Sequence, residues 1–421
     1  MATDFIEIDE GTDYVGYEEA FNLITSNILH IDTEEVGFDA AAGRIAAEDI
    51  IAELSYPSID VSLKDGFAVI SADVDRASAQ QPVRLKVIGS VFAGSAFEGE
   101  VKTGETVKIC SGARIPRGTE AVVSNEFCEE QPDDQVYVKA DSEKGRNILF
   151  TGTEVKAGTT IVKEGGVLYP GYLGLMAAAG ISRITVYRRP EVAIIGIGDE
   201  VVAPGERLST GQLYASNLVT MGAWLSHFNI TYIPSVVNDN EADIKAELRG
   251  KLPGVDAILT SGGAWGSERD LVIGVLDKLV WQKNFHHVRM GPGKGIAFGL
   301  WENKPVFCLP GGPASNEMAF LQLALPGVLC IGGDNRHPLQ TVSATLTDDL
   351  VSRHLAWTEF KDATLSRDSS GNLKVGLYRN RSRLQAIASA NSLVCIPEGK
   401  ESLKSGEVVS VQLLSPRLDG M

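Results

Sequence analysis

Apolar residues recur along this chain with two periods, and the changes of period mark its regions. Ala20, Phe21, Ile24 and Ile28 share one face of a helix over Tyr17–Ile28. From about Leu54 to Lys139 the period drops to two. Val83, Leu85 and Val87, then Val107 and Ile109, then Val136 and Val138 alternate with their neighbours between Gly-, Pro- and Asp-rich turns, which predicts a small antiparallel β domain. A helical stretch around Tyr172–Ala179 ends at Gly180, the place for a C′ glycine.

From Arg189 to about Gly333 strands and helices alternate. Strand 192–197 leads to a helix near Asn217–Phe228, strand 230–236 to one near Glu241–Leu252, and strand 257–260 to one near Ser267–Leu279, where Ser267 and Asp270 have capping-box spacing. A strand pair at 285–290 and 295–300 and a strand at 305–309 precede a helix near Ser315–Leu325. Such alternation predicts a doubly wound, mainly parallel sheet covered on both faces. Residues from about Pro338 return to β alternation, with Val409, Val411 and Leu413 on one side. The expectation is a multidomain chain of α/β plus β class. It has a helical N-terminal and linker region (1–53 with 145–188), a small β domain (54–144), the α/β domain (189–333) and a C-terminal β barrel (334–421).

Composition adds limits. At 421 residues the chain exceeds what one core supports. Its 44% hydrophobic and 22% charged residues are an ordinary soluble balance, and no apolar run approaches the roughly 18–20 residues of a membrane span. The acidic start, Met1–Glu10, lacks the basic and apolar stretches of a secretory signal. A net charge of -17 argues against sequence-independent binding to nucleic acid, so a chain handling an anion must gather its cations locally. Cys110, Cys128, Cys308, Cys330 and Cys395 are odd in number and widely spaced, which fits a reducing cytoplasm better than a disulfide framework or a zinc site. His286 and His287, as strand neighbours, are expected to point to opposite faces.

Three glycine-bearing turns stand where apolar runs stop: Gly196-Ile197-Gly198-Asp199-Glu200, Ser261-Gly262-Gly263 and Pro310-Gly311-Gly312-Pro313. In an open α/β sheet, ligands bind outside the carboxyl ends of the strands. Glycine there admits a phosphate against backbone N–H groups, and the start of the next helix adds positive potential. Asp199, Glu200 and Asp270 beside such a cradle suggest a bridging divalent cation, Mg²⁺. Asp270 serves equally as a helix-cap partner, and Asp199-Glu200 as a solvated helix start. Lys294, within Gly291-Pro292-Gly293-Lys294-Gly295, is either a point charge for an oxyanion or an exposed hairpin lysine.

Taken in order, these blocks resemble the molybdopterin molybdotransferases, the MoeA family that includes the gephyrin E domain. The family loop D-x-S-x-x-D-G-Y-A stands here as Asp60 to Ala68, with Phe67 for Tyr, and T-G-A-x-x-P-x-G as Ser111 to Gly118. T-G-D-E-L stands as Ile197 to Val201, S-G-G-x-S-x-G-x-x-D as Ser261 to Asp270, and L-P-G-N-P-x-S as Leu309 to Ser315. The resemblance runs over almost the whole chain. It implies four subdomains, the α/β one binding molybdopterin, in an elongated homodimer. It implies a transferase that takes adenylated molybdopterin, binds molybdate or tungstate with Mg²⁺, releases AMP and leaves the metal on the pterin dithiolene. Molybdopterin adenylyltransferase and acceptor molybdo- or tungstoenzymes would be its partners, with no nucleic acid and no membrane.

Carried over position by position, the resemblance implies catalytic roles for Asp65, Asp199, Glu200, Asp270 and Lys294. It implies pterin or phosphate binding by Ser111, Gly198, Asn217, Ser261, Gly262, Gly263, Pro310, Gly311, Gly312 and Pro313. Metal contacts would come from Asp199, Glu200, Asp239 and Asp270, and Glu154 is a further matching position. The departures fall largely on cations. Trp265 replaces the second Ser of the second loop, Gly312 the Asn of the third, and Gly291 the first Lys of K-P-G-K-P. Leu149 replaces the Arg of N-I-R, and Trp357 and Asp362 replace both Arg of G-R-x-x-F-x-R. Each charge-assisted hydrogen bond lost costs an oxyanion about 1.5–3 kcal/mol. Arg289, Arg353, Lys361, Arg381 and Arg383 are candidate substitutes. The losses also motivate a second expectation, a divergent paralogue that binds molybdopterin as carrier, sensor or scaffold without inserting metal.

Overall fold

The structure, a computed structural model, describes residues 14–263, 271–379 and 382–414. They form two compact units, residues 35–186 and residues 14–34 with 187–414. Helix α1 (Tyr17–Asn27) starts where the Glu19 carboxylate accepts from the Gly16 N–H, and it buries Tyr17, Ala20 and Ile24. Those side chains pack in the second unit, against apolar residues such as Leu325 and Val328. Residues 14–34 are thus compact with 187–414.

In the first unit β1 (Gly66–Val69), β2 (Val83–Val91), β3 (Glu105–Ile109), β4 (Ala121–Ser124), β5 (Cys128–Gln131) and β6 (Gln135–Val138) form a six-stranded sheet in the order β4-β1-β3-β2-β6-β5. The expected antiparallel domain is mixed, because β2 and β3 pair in parallel. Residues 92–104 carry the chain back along the sheet instead of turning it as a hairpin, a route that alternation does not encode. Gly66 opens β1 so close to β4 that a Cβ would collide with the Val123 carbonyl oxygen. Helix α2 (Pro170–Ala178) starts on Pro170 and stops at Gly180, whose φ of +91° suits a C′ glycine.

The second unit continues with β7 (Glu191–Ile197), α3 (Ser216–His227), β8 (Thr231–Val237), α4 (Glu241–Lys251), β9 (Ala257–Ser261), α5 (Leu271–Lys278), β10 (Gln282–His286), β11 (Val288–Gly291), β12 (Ala297–Trp301), β13 (Lys304–Leu309) and α6 (Pro313–Ile331). The α/β sheet has the order β8-β7-β9-β13-β12-β10, four parallel strands and an antiparallel arm. Alternation along β7 explains the layering. Val192 and Ile194 join Leu218, Met221 and Leu225 of α3 on one face, while Ala193 and Ile195 join Ile244 of α4 and Val272 and Leu276 of α5 on the other.

The expected strand pair at 285–290 and 295–300 is shortened: Phe285 and His286 pair with Phe298 and Ala297, and the chain then branches. His287, at φ +73°, ends β10, and β11 leaves the α/β sheet to lie parallel to Val15–Gly16. The same turn stacks the rings of His286 and His287, centroids 3.9 Å apart, instead of sending them to opposite faces. Beyond α6, β14 (Thr341–Leu346), β15 (Thr358–Arg367), β16 (Leu373–Leu377), β17 (Ser392–Ile396) and β18 (Val408–Leu413) close a ring in the order β15-β16-β14-β18-β17, with β17 returning to β15. Leu365, Val375, Val394 and Val411 fill it, and β11 attaches to β15.

Helix α6 is long and apolar enough to cross a membrane by length and composition, yet it is 89% buried inside this unit. Its polar residues Asn316, Glu317 and Gln322 are buried too, and so need partners. Phe320–Ala324 widen into a π-helical turn. Pro326 lacks an N–H and its ring would crowd the Gln322 carbonyl in a regular helix, a conflict the wider turn relieves. Gln322 Oε1 accepts from Tyr17 OH at 3.3 Å and from Gln412 Nε2 at 3.1 Å, and lies 3.2 Å from His337 Nε2. Burial holds the His337 imidazole below its ordinary range. An unfolded imidazole takes its proton near pH 6.5, whereas the folded one resists, so stability is expected to fall as pH drops below about 6.5, by up to about 1.4 kcal/mol per pH unit. Denaturant midpoints measured on either side of that pH should show the loss, and His337→Gln should flatten it.

Candidate functional site

The three glycine turns follow β7, β9 and β13, which are adjacent parallel strands, so all leave one sheet edge. They also touch. Gly262, at φ +98°, lies so near the first turn that a Cβ would come within 2.5 Å of the Ile197 carbonyl oxygen. Its N–H donates to Leu309 O at 3.1 Å, and a Cβ on Gly311 would meet Gly262 Cα at 3.5 Å. Ser261 Oγ, buried at the end of β9, accepts from Asn217 Nδ2 at 3.0 Å and from Asn316 Nδ2 at 3.1 Å. The same amides hold the third turn. Asn217 Nδ2 donates to Gly311 O and Asn316 Nδ2 to Pro310 O, both at 2.9 Å. Asn217 comes from the first turn of α3 and Asn316 from that of α6. Strand ends and helix starts are thus tied around one hydroxyl. A Cβ on Gly312 would meet open space, so that glycine leaves room at the turn and relieves no clash.

The acidic candidates gather only in part. Asp199 Oδ1 accepts from the Asp239 N–H at 3.0 Å, tying the first turn to the end of β8. Glu200 folds back over Gly198, where a Cβ would lie 2.7 Å from Oε2. Asp199 also lines a cavity of about 550 Å³ with Glu206, Asn238, Asp243 and Glu247. Asp270, with Trp265, Gly266 and Ser267, lies outside the described residues. Among the described residues no three His, Cys, Asp or Glu side chains form a metal cage. Asp199 and Glu200 at a strand exit nonetheless suit Mg²⁺, which is commonly held by one or two carboxylates together with substrate phosphates.

Lys294 sits on another side of α6. It lies in the connection between the antiparallel strands β10 and β12, and it is half-buried there. Its loop approaches the helix start, where a Cβ on Gly293 would meet Ser315 O at 3.3 Å. A cavity of about 550 Å³ opens there, lined among others by Lys294, Ser315, Glu317, Arg353, Trp357 and Asp362. Lys294 Nζ stands 5.8 Å from the Trp357 ring centroid. Arg353 and Lys361 are the candidate substitutes that line this cavity. Arg289 instead donates to Tyr14 O and Glu398, Arg383 begins the helix Arg383–Ser389, and Arg381 lies outside the described residues.

Charge in the cavity is unevenly settled. Lys361 pairs with Glu359 at 2.5 Å. Burial alone would push the Glu359 carboxyl up, but Lys361 and the backbone N–H groups of Arg353 and His354 outweigh it and hold the group below the usual range. Glu317 is pushed up to about 7 by burial and by the negative charge of Asp362, whose own carboxyl burial also raises. Asn316 and Glu317 were not sequence candidates. The signal was available as polar residues in an apolar helix.

In the first unit Asp65 and Ser111 meet, the Ser111 N–H donating to Asp65 Oδ1 at 2.8 Å. The Glu154 N–H donates to Tyr56 O at 3.1 Å, and Leu149 pairs with Val61.

Residues 15–180 match the MoeA N-terminal region (domain I and II), residues 193–329 the probable molybdopterin binding domain, and residues 361–414 the MoeA C-terminal region (domain IV). The chain is similar to a molybdopterin molybdenumtransferase of Haemophilus influenzae, 30% identical over 383 residues, which are 90% of this chain and 93% of the relative. The chain belongs to the MoeA family. It is thereby an enzyme of the transferase class. A Staphylococcus aureus molybdopterin molybdenumtransferase is 29% identical over 94% of each chain. A solved MoeA protein from Pyrococcus horikoshii superposes with a TM-score of 0.81 at 30% identity, covering 95% of this chain and 100% of that one. A molybdenum cofactor biosynthesis protein from Pyrococcus furiosus, at TM-score 0.58 and 20% identity, shares the fold.

The MoeA-type sheet edge can be probed by stability. Gly262→Ala is expected to cost about 1–3 kcal/mol through strain against Ile197, and Asn316→Ala about 1–3 kcal/mol by stranding buried acceptors. Gly312→Ala should be near neutral. Thermal unfolding of the three variants measures the contrast.

Proposed function

We propose that the chain inserts molybdate or tungstate into adenylated molybdopterin, with Mg²⁺ and with release of AMP, in molybdenum cofactor synthesis. Membership of the MoeA family supports the substrate class. One observation carries the reading for this chain: three glycine turns and the Ser261 hydroxyl meet at one sheet edge, and α6 links that edge to the cavity beside Lys294. In this reading the turns at Gly198, Ser261 to Gly263 and Gly311 to Gly312, with Pro310, Pro313 and Asn217, cradle the pterin phosphate and the phosphoanhydride, the N–H groups of Gly198 and Gly262 serving the turns themselves through Val237 O and Leu309 O. Asp199 and Glu200, with Asp239 and Asp270, would hold Mg²⁺, which when bound neutralises charge on the leaving phosphate. Lys294 attracts the oxyanion as a compact point charge. Asp65 and Ser111 are assigned to the same reaction from their matching loops. The reading includes a cytoplasmic homodimer.

Incubation with adenylated molybdopterin, molybdate and Mg²⁺ should release AMP, and chelation should stop it. Lys294→Ala should weaken oxyanion use about 10- to 100-fold. No AMP with either molybdate or tungstate would refute the transferase reaction. Tight pterin binding without turnover would favour the carrier role instead.

A further inference from the structure

The cavity beside Lys294 holds two carboxylates that oxyanion capture alone does not call for. Glu317 projects from α6 and is only 7% exposed, and Asp362 comes from β15. Glu317 also has a side-chain hydrogen bond with Trp224 of α3. Among the described residues, the other charged or titratable groups lining the cavity are Lys294 from the loop after β11, Arg353 and His354 from the segment before β15, Glu359 and Lys361 on β15, and Tyr378 and Arg379 after β16. Lys361 is committed to Glu359, and Arg379 to Asp348, each at 2.5 Å.

Two carboxylates in one cavity repel each other, and burial disfavours the charge on both. An entering oxyanion adds more negative charge to the same space. The occupied state is therefore favoured when a proton enters with the anion. A protonated carboxyl also gains an O–H donor, which a carboxylate lacks.

We propose that Glu317 and Asp362 act as a proton-bearing acid pair that makes oxyanion binding in this cavity proton-coupled, one proton being held by the pair beside each bound anion. The proposal deepens the oxyanion reading of the cavity and rests on it. Such a pair offers the anion an exchangeable hydrogen-bond donor in place of a permanent positive charge. The sign follows. Below about 7, the value to which Glu317 is raised, the pair already carries the proton and affinity levels off. Above it each binding event must draw a proton from solvent, so affinity falls about tenfold per pH unit.

Isothermal titration of the full chain with molybdate, and with sulfate as a second tetrahedral probe, tests this from about pH 6 to about pH 9 in two buffers of different ionisation enthalpy. The wild type should lose affinity about tenfold per pH unit above about pH 7, with buffer-dependent heats corresponding to about one proton taken up. Glu317→Gln, close to isosteric, should remove most of the slope and bind at least about tenfold more tightly than wild type at the alkaline end. Asp362→Asn should act in the same direction and supplies a second reading if the first variant folds poorly. Wild-type binding that is flat in pH, or a slope that survives in both variants as it would if His354 carried it, overturns the acid pair and leaves the oxyanion reading intact. Absence of binding of both anions at every pH, by wild type and both variants, overturns the oxyanion reading and the coupling with it.

Discussion

The hydroxyl of Ser261 is the constraint on which the site depends. A buried oxygen at a strand end must find donors, because an unmet hydrogen bond in the interior costs about 1–3 kcal/mol. Here the donors are two side-chain amides from the starts of two helices, and each amide also donates to a carbonyl of the third glycine turn. One satisfied polar cluster therefore sets the positions of β9, α3, α6 and the turn after β13 together. Gly262 completes the arrangement by letting backbone approach backbone where no side chain would fit.

Helix α6 extends that constraint through the second unit. Most of its surface is apolar and packs in the core, yet three buried polar side chains along it serve three different surroundings. Asn316 braces the sheet edge, Glu317 faces the cavity beside Lys294, and Gln322 links α1, β18 and His337. Polar groups in such a helix are destabilising unless each is partnered. Their partners come from distant parts of the chain, so they also specify how those parts meet. The π-helical turn at Phe320–Ala324 lets the helix keep its course past Pro326.

The cavity illustrates how charge is allocated inside an acidic protein. Glu359 draws Lys361 and two backbone N–H groups and stays ionised, while Glu317 and Asp362 are shifted the opposite way by burial, with the Asp362 charge adding to the shift of Glu317. Similar side chains in one hollow thus play unlike electrostatic parts because their immediate partners differ.

Local physics made much of this molecule readable from its residues. The 3.6-residue period of α1, α3 and α4 and the buried runs of β7, β9 and β13 follow from side-chain geometry within each segment, and the glycine turns at the strand ends could be named with their neighbours. Features created by distant parts meeting were not readable. A single positive φ at His287 diverted β11 to another sheet, a long connection made β2 and β3 parallel, and α1 crossed to the second unit. Likewise the parts played by Asn316 and Glu317 depend on Ser261 and Asp362, which only the fold brings to them. The sequence alone determined most of the helix and strand segments and the glycine turns at the strand ends. Only the tertiary structure decided which buried polar groups face one another, because hydrogen bonds and charge repulsion depend on distances through space that spacing along the chain does not set.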